Sequence, residues 1–254
     1  MPCKKTEMLA IIGGSGLTSL ATLEVSHRQA LQTPWGEPSA ALSFGRMGGR
    51  PLVFLARHGD EHGIPPHQVN YRANLWALSQ SAPAGIVAVA AVGGIRPDLK
   101  PGDLVIPHQI IDYTWGRAAT FHEWPESAVT HIDFTEPYDH ALRGRLLAAA
   151  LAIGVTVSDS AVYAATQGPR LETAAEINRL EGDGADVVGM TGMPEAALAR
   201  ELGIPYAALN VVANHAAGRA VGGQAISIEA IHAVLAASMQ QVRAIIERML
   251  GDDD

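Results

Sequence analysis

The 254-residue sequence predicts an α/β fold: a single domain with a central mixed, mostly parallel twisted sheet flanked by helices. Three observations predict it. Short β-branched runs alternate with helical patterns along the whole chain. Apolar residues make up 48% and charged residues 17%, the balance of a globular chain able to bury a substantial core. No internal repeat, low-complexity block or long polar linker divides residues 1–254, which are therefore expected to form one domain.

The elements follow in chain order. "MLAII" (8–12) suits a first strand, ended by Gly13-Gly14-Ser15-Gly16. "ALSFGRM" and "PLVFLAR" flank Gly48-Gly49 and predict a hairpin with a tight glycine turn. "QVNYRANLWALSQ" (68–80) spaces Val69, Leu75, Trp76 and Leu78 for a helix. "GIVAVAAV" (85–92) is a buried strand and "GDLVIP" (102–107) a shorter one; "ALRGRLLAAALAIG" (141–154) is a helix stopped by Gly154. A strand at 160–165, a helix near 173–181 and a strand at 186–190 come next. A helix at 193–202, a strand at 205–212 and a long helix from about Ser227 to Leu250 complete the chain. The acidic end, 251–254, is expected to be loose.

Composition narrows the function. Eighteen basic against 26 acidic residues give a net charge of −8, which argues against a nucleic-acid partner. Cys3 is the sole cysteine, so an internal disulfide and a thiolate zinc cluster are excluded, and a reducing cytoplasm fits. "MPCKKTEMLAIIGGSG" has too short an apolar run for a signal-peptide core. "AGIVAVAAVGGI" falls short of the ~18 residues that suggest a membrane span. A soluble cytoplasmic protein with no membrane partner is expected.

Four strand-end turns carry candidate chemistry. Gly13-Gly14-Ser15-Gly16 fails as a dinucleotide fingerprint, which would need glycine where Ser19 stands. The turn can still offer backbone N–H groups and the Ser15 hydroxyl to a phosphate; an unliganded glycine turn fits as well. "ARHGDEHGIPPHQVNYRAN" (56–74) gathers Arg57, His58, His62, His67 and Arg72. Arg57 and His58 directly follow a strand, where they can hold an oxyanion bidentately, and a solvated loop of hydrogen-bonded histidines is equally consistent. A zinc site is conceivable there, but no helical His-x-x-x-His with a catalytic Glu accompanies it.

In "VGMTGMPEAALAREL" (188–202), Thr191 sits where an N-cap belongs, with Pro194 and Glu195 in the first turn. A helix N-terminus also suits an anion. In "TQGPRLETAAEI" (166–177), Glu172 precedes a helix, where it favours the dipole with or without a ligand. A fifth stretch, "LNVVANHAAG" (209–218), starts as a buried strand and runs into Asn214 and His215. Carboxyl ends of parallel strands are where ligands bind.

Together these stretches resemble the trimeric purine nucleoside phosphorylase and 5′-methylthioadenosine phosphorylase family. The resemblance runs from "IIGGSGL" to the last helix. It is strongest in "RHG…PPHQVNYRANLWAL", "VGGI…GDLVIPHQIIDYT", "TQGPRLETAAEI" and "GADVVGMTGMPEAALARELGIPYA". It implies phosphorolysis of a purine N-glycosidic bond, with inorganic phosphate as co-substrate and no metal or organic cofactor. Position by position, it implies that Ser15, Arg57, His58 and Thr191 hold phosphate, with a backbone donor from Ala91. Met190 would line the ribose, and Glu172, Asn214 and residues around Ala216 would face the base. His131, in "HIDFTEPYD", matches a position that reaches the neighbouring subunit's 5′ pocket, which implies a homotrimer. One departure is Ala90, where the family often has Asn.

The resemblance also discriminates substrates. Members acting on 6-aminopurines carry Asp in place of Asn214 and a small hydroxyl residue in place of Glu172; members acting on 6-oxopurines have the pair present here. A Glu carboxylate accepts from N1–H of a 6-oxopurine, whereas adenine presents a lone pair. The 5′-hydroxyl-binding His of inosine and guanosine phosphorylases aligns with Ile228, which with Ile231 offers an apolar pocket suited to a methylthio group. An amphipathic helix would place core residues there in any case. The expected substrate is 5′-methylthioinosine, with methylthioadenosine or inosine as alternatives. His215, beside Asn214, is a candidate substrate-binding residue without an obvious family counterpart, and a solvent-facing imidazole is its ordinary role. Two other classes compete less well: a dehydrogenase, against which the mismatched glycines speak, and a nucleoside hydrolase, for which no acidic water-activating cluster is present. A non-catalytic purine-binding module would follow if Ala90 disabled turnover.

Overall fold

The computed structural model describes residues 8–17, 20, 22–123, 125, 127–220, 222 and 225–251. Its centre is β1 (Leu9–Gly13), β4 (Arg50–Ala56), β5 (Gly85–Gly94) and β11 (Tyr206–His215), parallel in the order β4-β1-β5-β11. These strands are buried on both faces, which is why their sequences are nearly continuous apolar runs without polar alternation.

Antiparallel strands complete the mixed sheet. β3 (Leu42–Met47) returns into β4 through Gly48 and Gly49, whose φ values of +56° and +78° fit the turn that a two-residue hairpin favours. β2 (Glu24–Gln29) pairs with β3 at the sheet margin. Its residues are exposed throughout, with Glu24, His27 and Arg28 supplying the polarity that protects an edge. On the other side lie β6 (Leu104–Val105), β7 (Gln109–Asp112), β8 (Val157–Ser158), β9 (Val162–Ala165) and β10 (Val187–Gly189). β2, β7 and β8 lie outside the sequence expectation: two are exposed or half-buried edges and the third is a two-residue pairing, so none leaves an apolar run to find.

Strand alternation sends side chains to two cores. Leu9, Ile11, Val87, Val89, Leu209 and Val211 meet α2 (His140–Ala152) and α5 (Ile228–Gly251). Ala10, Ile12, Ile86 and Ala88 meet α1 (Tyr71–Ser79) and α4 (Gly192–Glu201). A smaller cluster joins Ile177 and Leu180 of α3 (Ala174–Gly182) to Ala164 and Val188.

Three helix boundaries differ from expectation. The helix anticipated from residue 68 begins at Tyr71, because Pro66–Gln68 form a 3-10 turn and the Asn70 side chain caps the helix by accepting from Ala73 N–H at 3.1 Å. Thr191 occupies the N-cap position of α4 but makes no side-chain capping bond, and Met193 is non-helical (φ −120°, ψ 140°). Gly251 ends α5 rather than opening a loose tail; residues 252–254 lie outside the described residues.

Candidate active site

The sheet splits where the candidate residues gather. One edge of β5 pairs with β11 from Ile86 to Gly94. The opposite edge pairs with β1 only as far as Ala88, and with β10 only from Gly93. Between them a stretch of β5 backbone has no strand partner on that side. A cavity of about 600 Å³ opens there, lined by Ala90, Ala91 and Val92 and by the turns after β1, β4, β10 and β11. Its size suits a drug-sized molecule.

The polar wall is built around Arg57, which is 1% exposed. Its Nε donates to Glu195 Oε2 at 2.7 Å, its Nη2 to Glu195 Oε1 at 2.8 Å, and its Nη1 to the Val89 carbonyl at 2.9 Å. Three of the five guanidinium N–H groups are thereby committed, leaving two for a ligand. The Nε-side fork grips Glu195, so any anion held jointly by Arg57 and His58 would meet the remaining Nη hydrogens. Gly14 is required beside it: a Cβ there would stand 2.7 Å from Nη1 and 2.6 Å from the Val89 oxygen. A strand residue turns its N–H and C=O to the same edge, and alternate residues share that edge. The Ala91 amide therefore faces the same gap as the Val89 carbonyl.

His58 Nδ1 lies 2.8 Å from the Ile64 carbonyl, which can only accept, so Nδ1 carries the hydrogen. Burial, together with the neighbouring Arg57 charge, pushes His58 down to about 4, so it is a neutral imidazole at neutral pH. His62 packs edge-on against it at 4.8 Å, and its Nε2 is 3.2 Å from Ser15 Oγ. Burial lowers the His62 pKa as well, followed by the charges of His232 and Arg57. Thr191, 7% exposed, donates its backbone N–H to the Tyr163 hydroxyl at 3.3 Å and lines the cavity.

Glu172 and Asn214 approach from β9 and β11. The Thr166 hydroxyl donates to Glu172 Oε1 at 2.7 Å, holding the carboxylate against the strand end. Asn214 reaches the cavity through a β-bulge: Val212 pairs with Val92 and Asn214 with Gly93, so Ala213 is an extra residue. Asn214 Nδ2 donates to the His215 carbonyl at 2.6 Å, which orients the amide. β11 therefore continues to His215, past the expected end at residue 212. His215 itself does not line the cavity, whereas Ala216 does.

Arg117, from the long connection after β7, fastens this wall. It donates to the carbonyls of Met190 (2.8 Å), Met193 (2.6 Å), Thr166 (3.2 Å) and Gln167 (2.8 Å). One guanidinium thus ties the ends of β9 and β10 to the start of α4.

α5 supplies the apolar wall. Ile228, Ile231 and Leu235 fall on one helical face and line the cavity. Leu235 is core, but Ile228 is 53% exposed and so is not there to fill the interior.

Of the residues singled out from sequence, Ser15, Arg57, His58, Ala91, Glu172, Met190, Thr191, Asn214, Ala216 and Ile228 share this cavity. His67 and Arg72 do not, and Arg72 pairs with Glu123 at 2.8 Å. His131 is exposed in the long connection and does not line this chain's own cavity. Sequence reasoning passed over three contributors. His62 belonged to the dense stretch but had no distinguishing spacing. Glu195 read as an ordinary first-turn acid, and Arg117 stood alone in a loop without periodicity. Among the described residues, no three His, Cys, Asp or Glu side chains converge as a metal site.

Comparison with known proteins places the chain in a family. The sequence pattern of the Phosphorylase superfamily matches residues 8–251. A probable S-methyl-5′-thioinosine phosphorylase of Pseudomonas syringae pv. tomato is 53% identical over 242 residues, 95% of this chain and 98% of that protein. The 6-oxopurine nucleoside phosphorylase of Pyrococcus furiosus is 46% identical over 83% of this chain and 80% of its own length. Among solved structures, methylthioadenosine phosphorylase from Schistosoma mansoni in complex with adenine aligns with a TM-score of 0.92 at 32% identity, over 98% of this chain and 93% of that one.

Proposed function

The chain belongs to the Phosphorylase superfamily, and from that premise we propose that it cleaves 5′-methylthioinosine with inorganic phosphate, releasing hypoxanthine and 5-methylthioribose 1-phosphate. The carrying observation is the single cavity in which an anion-suited wall, a Glu–Asn pair and an apolar helical face meet. That combination suits phosphate, a 6-oxopurine and a methylthio group together.

In this assignment, Ser15, Arg57, His58, Thr191 and the Ala91 amide hold phosphate below C1′, and Met190 lies against the ribose. The C1′–N9 bond stretches toward an oxocarbenium ion as a phosphate oxygen closes on C1′. Positioning and electrostatics supply the rate, with no covalent enzyme intermediate. The departing base gains negative charge at the imidazole ring. Asn214 meets N7 as it takes a proton from solvent, and donates to O6, while Glu172 accepts from N1–H. Phosphate serves as co-substrate, and no metal or organic cofactor takes part in these steps.

The 53% identity with a probable S-methyl-5′-thioinosine phosphorylase supports this base and 5′ preference. The likeness to methylthioadenosine phosphorylase supports a second reading, in which adenine is released. Base release from methylthioinosine, methylthioadenosine and inosine, each with and without phosphate, separates them. Phosphate-dependent hypoxanthine release, fastest from methylthioinosine, is the expected result. Faster reaction of methylthioadenosine would favour the second reading, and turnover independent of phosphate would remove the phosphorylase assignment.

The same reading proposes a cytoplasmic homotrimer in which His131 completes a neighbour's 5′ pocket. Trp115 and Val129, 72% and 81% exposed, lie in the same long connection as His131 and give it an apolar surface to cover. Among the described residues, no helix is long and apolar enough to cross a membrane.

A further inference from the structure

The fixed charges of the site do not favour a dianion. Arg57 lines the cavity, but its charge is already met by Glu195, which is 0% exposed and stands behind it. The Tyr206 hydroxyl donates to Glu195 Oε1 at 2.8 Å and locks the carboxylate in that orientation. Glu172 adds a further carboxylate to the lining. A phosphate dianion would therefore enter a space whose one guanidinium, though it keeps two N–H groups to donate, already faces a carboxylate, and uncompensated charge in such a space is strongly disfavoured.

The geometry also provides a proton acceptor. His58 Nδ1–H is spent on the Ile64 carbonyl, so Nε2 presents a lone pair. Every group facing this imidazole bears on its protonation. His62 lies edge-on from the same loop, with His232 of α5 beyond it. Arg57 lies at the end of β4 and is backed by Glu195 of α4, with Tyr206 of β11 and Tyr71 of α1 around that pair. Without a ligand, burial and Arg57 keep Nε2 unprotonated at neutral pH. A bound anion reverses the sign of the local field and favours the imidazolium.

We propose that Glu195 is a positioning residue that also sets the charge of the anion site: it clamps Arg57 and offsets part of its charge, so phosphate enters together with one proton shared with His58 Nε2. The inference rests on the phosphate assignment above. The proton comes from solvent, and no other bond forms or breaks. Glu195 does not line the cavity, so its influence passes through Arg57.

The test is calorimetric titration of inorganic phosphate into the full-length protein at about pH 8, in two buffers of different protonation enthalpy. The difference in heat counts the protons taken up. Wild type should take up close to one proton per phosphate, with phosphate affinity falling up to about tenfold per pH unit on the alkaline side. Glu195→Gln should bring uptake near zero and flatten the pH dependence of the phosphate KM. Tyr206→Phe loosens the same buried network without altering its charge, and should retain uptake near one. His58→Gln should still bind phosphate, about tenfold more weakly, with no uptake.

Equal heats in the two buffers for wild type overturn the proposal, as does undiminished uptake in His58→Gln. The wild-type and His58→Gln results stand even if Glu195→Gln does not fold. Uptake preserved in a folded Glu195→Gln removes the charge-setting role. Absence of phosphate binding by wild type overturns the phosphate assignment itself, a distinct result from binding without a proton.

Discussion

An Arg57→Met variant should lose both turnover and stability, and the two losses should be separable. Turnover falls because a positioned guanidinium no longer holds the attacking phosphate against C1′; losing one such donor typically lowers kcat by about 10²–10³-fold. Stability falls for a different reason. Glu195 would be left fully buried with the Tyr206 hydroxyl as its remaining hydrogen-bond donor, and breaking a buried ion pair from one side costs about 3–5 kcal/mol. The urea midpoint should drop accordingly. Replacing both partners, Arg57→Met with Glu195→Leu, should restore most of the stability and none of the turnover, since a buried pair exchanged for apolar residues is often close to neutral. If the single variant is as stable as wild type, Glu195 is not held as a buried carboxylate and the charge account of the site collapses.

The paired substitution Glu172→Ser with Asn214→Asp should reverse the base preference. A 6-oxopurine presents N1–H, which the Glu172 carboxylate can accept; serine leaves that contact weak or unmade. An aspartate in place of Asn214 repels O6 but accepts from the 6-amino group of adenine. Mismatches of this hydrogen-bonded kind, with buried polar groups left unpaired, reach several powers of ten in kcat/KM. We expect methylthioinosine to lose about 10²–10³-fold, and methylthioadenosine to become the better substrate. Steady-state assays with both nucleosides at saturating phosphate decide it. Proportional loss on both substrates would mean that the pair supports the pocket without reading the base.

Much of this site was legible before the fold. The buried parallel strands announce themselves as unbroken apolar runs, and their ends are where Ser15, Arg57, Met190 and Asn214 are found. What sequence could not supply was the partnership between distant residues. Arg57 and Glu195 are separated by 138 positions, and nothing local marks Glu195 as more than a first-turn acid. Arg117 acts mostly through backbone carbonyls, which every residue has, so most of its targets leave no trace in side-chain pattern. The capping role expected of Thr191 failed because Met193 bends the chain out of helical geometry before the first turn is complete. Ile228 illustrates the opposite limit: helical periodicity permits both a core and a pocket role, and its exposure decides between them.

The bulge at Ala213 divides β11 into two territories. Up to Val212, each residue answers to its neighbour on β5, and a change there disturbs the sheet. Beyond the extra residue, Asn214 is released from that strict count, hydrogen-bonds to its own chain and lines the cavity. Inheritance can therefore act on the two parts at different rates. The shaft of the strand preserves the scaffold, while its tip can exchange an amide for an acid without renegotiating the ladder below. A lineage built on such a strand can reshape the cavity wall by editing the tip and leave its folding untouched.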